Sequence, residues 1–269
     1  MRPYSRVYAT VNLDAVASNM KSMRENLPAS TLIMGSVKAD GYGHGSVPIA
    51  KTIDPYVFGY AVATIDEGII LRRHGINKTI LILGVTHESQ YEELLRYNIR
   101  TAMFQYEKAK KLSDLAVKQG KKAVVHLALD TGMSRIGMKA DREHAKEAAS
   151  IAALEGIEVE GLFTHFARAD ETDKSAYEEQ YRRYKEFLGY LEELGVQIPI
   201  RHCSNSAGIV ESLESNHMDM VRAGIAIYGM YPSDEVDHNS VKLTPAMEIK
   251  SCITYIKEIG AGTAVSYGG

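Results

Sequence analysis

Short, almost unbroken apolar runs alternate with stretches whose apolar residues recur at spacings of three and four. Residues 31–37 (TLIMGSV), 56–62 (YVFGYAV), 79–84 (TILILG), 124–130 (VVHLALD), 159–165 (VEGLFTH) and 198–204 (IPIRHCS) predict strands that are apolar on both faces. A parallel sheet covered by helices requires that pattern. Residues 98–104 (NIRTAMF) and 218–224 (MDMVRAG) complete a set of eight. Helical patterns lie between them. Residues 63–75 carry Thr64 as N-cap, Glu67 three positions on as the other half of a capping box, and Gly75 as the stop. Asn12 caps a second helix, and Tyr177, Tyr181, Tyr184, Leu188 and Leu191 form one face of the longest. Strands alternating with helices imply right-handed βαβ units. Eight of them in roughly 220 residues predict a (β/α)8 barrel. A doubly wound open sheet is the alternative, but no G-x-G-x-x-G follows the first strand.

The alternation stops near residue 240. Residues 245–269 (PAMEIKSCITYIKEIGAGTAVSYGG) are rich in Ile, Thr and Tyr and carry no helical pattern. They read as the opening strands of an incomplete C-terminal β domain, with the early RVYATVNL as a pairing partner. The expected division is therefore residues 1–10 as a strand joining that domain, 11–240 as the barrel, and 241–269 as the start of the β region.

Composition narrows the function classes. The 269 residues are 45% apolar and 24% charged, ordinary for a globular protein, and the formal charge of −3 argues against nucleic acid or an anionic membrane as partner. The N-terminus has no apolar core of a signal peptide, and two cysteines, Cys203 and Cys252, are too few for a disulfide framework. A cytoplasmic enzyme or binding protein is the expectation.

In such a barrel, function collects where strands run out into βα loops. Those positions hold Lys38; Asp130, Thr131 and Arg135; His165; His202, Ser204, Asn205 and Ser206; and Arg222, Gly224 and Ile225. No two histidines or carboxylates among them show metal-ligand spacing, so an anionic, aromatic ligand fits better than a metal. SNSAG and RAGIA offer backbone N–H groups suited to phosphate. Lys38, followed by Gly41, Gly43 and Gly45, taken alone reads as an ion-paired or phosphate-binding lysine. Beside two phosphate grips it reads better as a Schiff-base lysine, because a desolvated amine attacks a carbonyl. The cofactor that needs both is pyridoxal 5′-phosphate.

The segments VKADGYGHG, DTGMSRIGM, FTHFARAD, CSNSAG, VRAGIAIYGMYP and AVSYGG, in this order, resemble the motifs of bacterial alanine racemases from about Val7 to the last residue. The resemblance implies that Lys38 holds pyridoxal phosphate and serves as one of two proton-transfer bases, with Tyr267 of a neighbouring subunit as the other. It implies that Tyr42 and Ser206, with backbone from Gly224 and Ile225, hold the phosphate, and that Asn205 lies at the cofactor. Arg222 would face the pyridine nitrogen, His165 would link Arg222 to the second base, and Arg135 would meet the substrate carboxylate. A homodimer, an alanine substrate and a supply of D-alanine for peptidoglycan follow from the same resemblance; a serine racemase and a non-catalytic pyridoxal-phosphate carrier are the alternatives. A phosphate-binding barrel without covalent chemistry is a third. Two departures stand out. Many of these racemases have a carbamylated lysine where this chain has Ala128, so a bound anion or another contact would have to place Arg135. The family also continues past SYGG into a β domain, so the expectation for this length of chain is cofactor binding with weak or absent turnover.

Overall fold

A computed structural model describes residues 6–268. Residues 1–5 of the expected N-terminal strand, and Gly269, lie outside the described residues. In chain order the strands are β1 (Val7–Val11), β2 (Leu32–Ser36), β3 (Gly59–Val62), β4 (Thr79–Ile82), β5 (Arg100–Met103), β6 (Ala123–Asp130), β7 (Met138–Lys139), β8 (Ile157–Phe163), β9 (Ile200–His202), β10 (Met220–Ala223) and β11 (Met247–Ser251). The helices are α1 (Leu13–Glu25), α2 (Lys38–Tyr42), α3 (Ser46–Ile53), α4 (Ile65–Arg73), α5 (Tyr91–Tyr97), α6 (Tyr106–Lys118), α7 (Arg142–Ala152), α8 (Ser175–Glu193) and α9 (Ser206–Val210).

Each of the eight apolar runs contains a parallel strand. They follow one another as β2, β3, β4, β5, β6, β8, β9 and β10, and β10 pairs back onto β2. The pairing of β5 with β6, through Thr101–Val125 to Met103–Leu127, leaves no free edge, so the sheet is a closed (β/α)8 barrel and the open-sheet alternative is ruled out. The two faces of the strands divide the core. Ile33, Tyr60, Val62, Ile80, Ile82 and Val221 pack outward against the helices. Met34, Ala61, Leu81 and Met220, alternating with them, form a separate cluster inside the barrel. The tyrosine face of α8 is core as expected: Tyr184 is fully buried and donates to the Leu162 carbonyl at 2.7 Å.

Toward the C-terminus, Val241 and Ala246 are still buried in the main core. β1 does pair antiparallel with β11, from Val7–Ser251 to Val11–Met247. Beyond Ser251 the described residues form no further strand, and Tyr267 sits in a turn rather than on a strand. A strand forms only where a neighbour takes up its backbone groups, and β1 is the neighbour present for β11. Ile253, Tyr255 and Ile256 are correspondingly exposed. No helix among the described residues is long and apolar enough to cross a membrane.

Asn19, fully buried on α1, fastens this end of the barrel: its amide donates to the Ile227 and Thr244 carbonyls at 3.1 and 2.9 Å and accepts from Thr244 N–H at 2.7 Å. Asn19→Leu leaves those groups unpaired, so we expect a loss of about 1–3 kcal/mol, read as a lower midpoint in urea unfolding.

Candidate active site

The C-terminal strand ends surround a cavity of about 560 Å³ lined by Lys38, Tyr42, Arg135, His165, Asn205, Ser206, Arg222, Gly224 and Ile225. Nine of the ten residues to which the resemblance gives a role are therefore brought together.

Lys38 leaves β2 into a turn of reversed hand. Ala39, Asp40 and Gly41 all lie near φ +50 to +61° and ψ +44 to +50°, and Tyr42 has φ +52°. Such a conformation costs an L-residue roughly 1–2 kcal/mol, so the surroundings must hold it. Gly41 N–H donates to the Val37 carbonyl at 2.9 Å and Gly45 N–H to that of Asp40 at 2.8 Å, while Ser46 N–H is capped by the Asp40 carboxylate at 2.7 Å. At Gly41 a Cβ would also be tight, 3.3 Å from the Ser46 backbone. The Glu67 carboxylate completes the clasp and corrects the expected capping box. Thr64 does cap α4, but Glu67 accepts from Ala63 N–H at 2.7 Å and reaches across to Ala39 N–H at 2.8 Å. The turn brings Lys38 Nζ to 5.2 Å from the centre of the Tyr42 ring.

Opposite Lys38, α9 and the loop after β10 form a polar cradle. Asn205 is the N-cap of α9, accepting from Gly208 N–H at 3.1 Å, and its amide donates to the Phe166 carbonyl at 3.3 Å. Ser206 Oγ accepts from the N–H groups of Gly224 and Ala226 at 2.9 and 3.3 Å. A Cβ on Gly224 would lie 3.5 Å from both Ser206 Oγ and Tyr42 Oη, so two hydroxyls and a bare backbone face the same small volume.

Arg222 is the most constrained of these side chains. It is 4% exposed, and its two terminal nitrogens donate to His202 Nδ1 at 2.9 Å, to the His202, Thr164 and Cys203 carbonyls at 3.1, 2.6 and 3.1 Å, and to His165 Nδ1 at 3.3 Å. Its Nε–H makes no hydrogen bond among the described residues, although the side chain lines the cavity. Burial lowers the guanidinium to about 10, so it stays charged at neutral pH. Burial, then the charges of Arg222, Arg135 and Lys38, push the His165 imidazole down to about 3. His202, enclosed beside Arg222, is likewise held neutral by burial and by that charge. Three cations thus surround a neutral histidine, a field suited to an anionic ligand.

Tyr267 is the exception. It is fully exposed and does not line this chain's cavity. At Ala128 the interior is filled by hydrophobic packing: Ala128, Ala102 and Phe163 form one cluster with Leu83 and Phe104 against it. Arg135 is exposed and forms no ion pair among the described residues. Phe163 and Met133, apolar residues not singled out from the sequence, also line the cavity. Phe163 stacks on His202 at 5.3 Å between ring centres and lies 5.5 Å from the Arg222 guanidinium carbon. As an apolar residue in an apolar strand it carries no signal of its own.

The model of the alanine racemase N-terminal domain matches residues 11–232. The chain belongs to the alanine racemase family. It is 43% identical over 263 residues to the alanine racemase of Desulforamulus reducens, covering 97% of this chain and 71% of that one. The alanine racemase of Clostridium perfringens is also 43% identical, with 97% and 68% covered. Among solved structures, the alanine racemase of Clostridium difficile superposes with a TM-score of 0.92 at 40% identity, covering 99% of this chain and 70% of that one. That of Bacillus anthracis with bound L-Ala-P gives 0.89 at 32%, covering 100% and 69%. The family is one of racemases, and the barrel is the part of those enzymes that this chain matches.

His165 and His202 stay neutral in the native protein but take up protons near pH 6.5 when unfolded. Below that pH the unfolded state binds more protons, so stability falls with acid until the folded imidazoles titrate, which for His165 is near pH 3. We expect up to about 1.4 kcal/mol lost per pH unit for each histidine, measured by urea unfolding between pH 7.5 and 5. His165→Asn should make the dependence shallower by one proton.

Proposed function

We propose that this barrel binds pyridoxal phosphate on Lys38 and serves an amino-acid racemase whose substrate is alanine. The observation that carries the reading is the pairing of Lys38 with the cradle. A lysine with no ion pair among the described residues shares one cavity with the Tyr42 and Ser206 hydroxyls and the bare backbone of Gly224. The remaining donor of Arg222 fits the same group. With its terminal nitrogens committed to protein acceptors, the free Nε–H suits a ring nitrogen that accepts. The alanine racemase of Clostridium difficile in complex with cycloserine, an aligned relative at a TM-score of 0.92, supports a small amino-acid-like ligand here.

When bound, pyridoxal phosphate supplies a conjugated, electron-withdrawing group that acidifies the Cα proton of an attached amino acid. The residues of this chain have the other tasks. Lys38 would hold the cofactor and, once the substrate amine has displaced it, its free amine would take or return the Cα proton on one face. Tyr42 and Ser206, with backbone from Gly224 and Ile225, would hold the phosphate, with Asn205 fixing the end of α9 beside it. Arg222 donates to the ring nitrogen without surrendering its proton, because even at about 10 it stays charged at neutral pH. That would restrain the electron withdrawal that the cofactor supplies. Arg135 faces the substrate carboxylate, and His165 connects Arg222 to the proton-transfer side.

Racemisation needs a proton group on each face of the planar centre. Tyr267 is exposed and away from its own cavity, which suits a residue given to the cavity of a second copy in a homodimer. It also leaves residues 247–268, with β1, as a segment distinct from the barrel.

Sodium borohydride should bleach the visible band of the cofactor-loaded protein and leave the cofactor fixed to Lys38 by a reduced C–N bond, located by peptide mass. Lys38→Ala should lose the band and lower deuterium uptake at Cα of L-alanine by at least a thousandfold. A Lys38→Ala protein with the parent's band would end the reading of a covalent lysine; an intact band without Cα exchange in a chain extended by the relatives' remaining C-terminal portion would identify a carrier instead.

A further inference from the structure

Beside its apolar clusters, the interior of this barrel holds a row of charged and polar side chains. On β5, β6, β8, β9 and β10, Arg100, His126, Glu160, His202 and Arg222 alternate with the outward-packing Ile99, Val125, Leu127, Val159, Leu162, Cys203 and Val221, so they share the inner face. They form one continuous chain. Arg222 donates from a terminal nitrogen to His202 Nδ1 at 2.9 Å, and His202 Nε2 and His126 Nδ1 are 2.8 Å apart. His126 Nε2 lies 3.0 Å from Glu160 Oε2, and Arg100 donates to both Glu160 oxygens at 3.2 Å. Both imidazoles are completely buried.

The backbone is shaped to admit this chain. The register of β6 against β8 slips between Val125 and His126, which leaves Glu160 as the extra residue of a bulge. The next residue is Gly161, where a Cβ would fall 2.5 Å from His126 Nδ1. Such a bulge and glycine serve the side chains, because an uninterrupted apolar strand would close the barrel without them.

Only one arrangement of protons satisfies every contact. An arginine can only donate, so His202 Nδ1 accepts and its proton is on Nε2. His126 Nδ1 must then accept, and its own proton is on Nε2, facing a carboxylate that Arg100 keeps ionised. Burial alone would raise Glu160, but the hydrogen bonds from His126 and Arg100 and the charge of Arg100 outweigh it and hold it at about 2. His126 is lowered by its burial despite Glu160, so its contact is the hydrogen bond of a neutral imidazole.

We propose that Glu160, His126 and His202 are positioning residues for Arg222: a one-way donor relay, anchored by Arg100, that fixes the histidine tautomers and so holds the guanidinium with its Nε–H toward the cavity. The consequence for cofactor binding rests on the reading of Arg222 as the partner of the ring nitrogen; the relay itself does not.

Long-range nitrogen–proton NMR of the parent protein, labelled at histidine, tests the relay without cofactor. Both His126 and His202 should be neutral at neutral pH with the proton on Nε2. A proton on Nδ1 of either, or on both nitrogens, overturns the proposal and needs no variant. The Glu160→Gln variant then tests direction. Its amide must turn NH2 either against Arg100 or against His126, and the charge of Arg100 favours the second. We expect both histidines to move their proton to Nδ1, so that His202 opposes Arg222, and pyridoxal phosphate to bind about tenfold to a hundredfold more weakly. Adding Arg100→Met frees the amide to present its oxygen to His126. That double variant should regain the Nε2–H tautomers and bind within about threefold of the parent. Weaker binding with unchanged tautomers, or no recovery in the double variant, would mean a merely structural role and overturn the relay. A parent protein with the expected tautomers but no visible band would instead overturn the cofactor reading.

Discussion

The buried guanidinium of Arg222 ties the barrel interior to the cavity at its mouth. A cation out of water is tolerated only when acceptors meet its charge, and here those of its terminal nitrogens come from different strand ends: Thr164 and His165 after β8, and His202 and Cys203 at the end of β9. Those strand ends are held at one separation by the same group that faces the ligand volume. Phe163 covers the assembly from the side and gives the charge an aromatic face.

The interior of the barrel follows from that placement. Over β2, β3, β4 and β10 it is filled by Met34, Ala61, Leu81 and Met220, as a packed barrel core requires. Over the remaining strands the polar chain beneath Arg222 replaces them, and it ends at Arg100 and Glu160, side chains 16% and 17% exposed. The charges that cannot be neutralised internally thus sit near water, while the two enclosed members are neutral imidazoles. Around the cavity the opposite bias holds. Lys38, Arg135 and Arg222 outnumber the one carboxylate on its lining, Asp170, and an anionic ligand completes the balance.

Much of this was legible in the linear pattern. Eight apolar runs gave eight barrel strands because a strand buried on both faces must be apolar throughout, and the strand-end rule collected Lys38, His165, Ser206 and Arg222 at one rim. The half of the capping box that failed is instructive. Thr64 behaved as the local rule predicts, while Glu67 found a stronger use across the βα loops at Ala39, a residue 28 positions away. Nothing in the apolar run around His126, or in the single charge of Glu160, signals that the two meet. Their meeting depends on a register slip that no periodicity reveals. Phe163 and Ala128 could not be placed either, since apolar residues announce burial but not what they border.

By itself the sequence determined the closed parallel architecture, the rim on which chemistry gathers, and the residue types available there, because hydrophobic alternation and strand-end position are local properties of the chain. Tertiary structure alone decided the reversed hand of the Lys38 turn, the tautomers implied for His126 and His202, and the separation of Tyr267 from its own cavity. Each of those depends on contacts between residues far apart in the chain: a carboxylate borrowed from α4, a proton order set from both ends of a buried chain, and a partner that β1 provides for β11 but not for the residues after it.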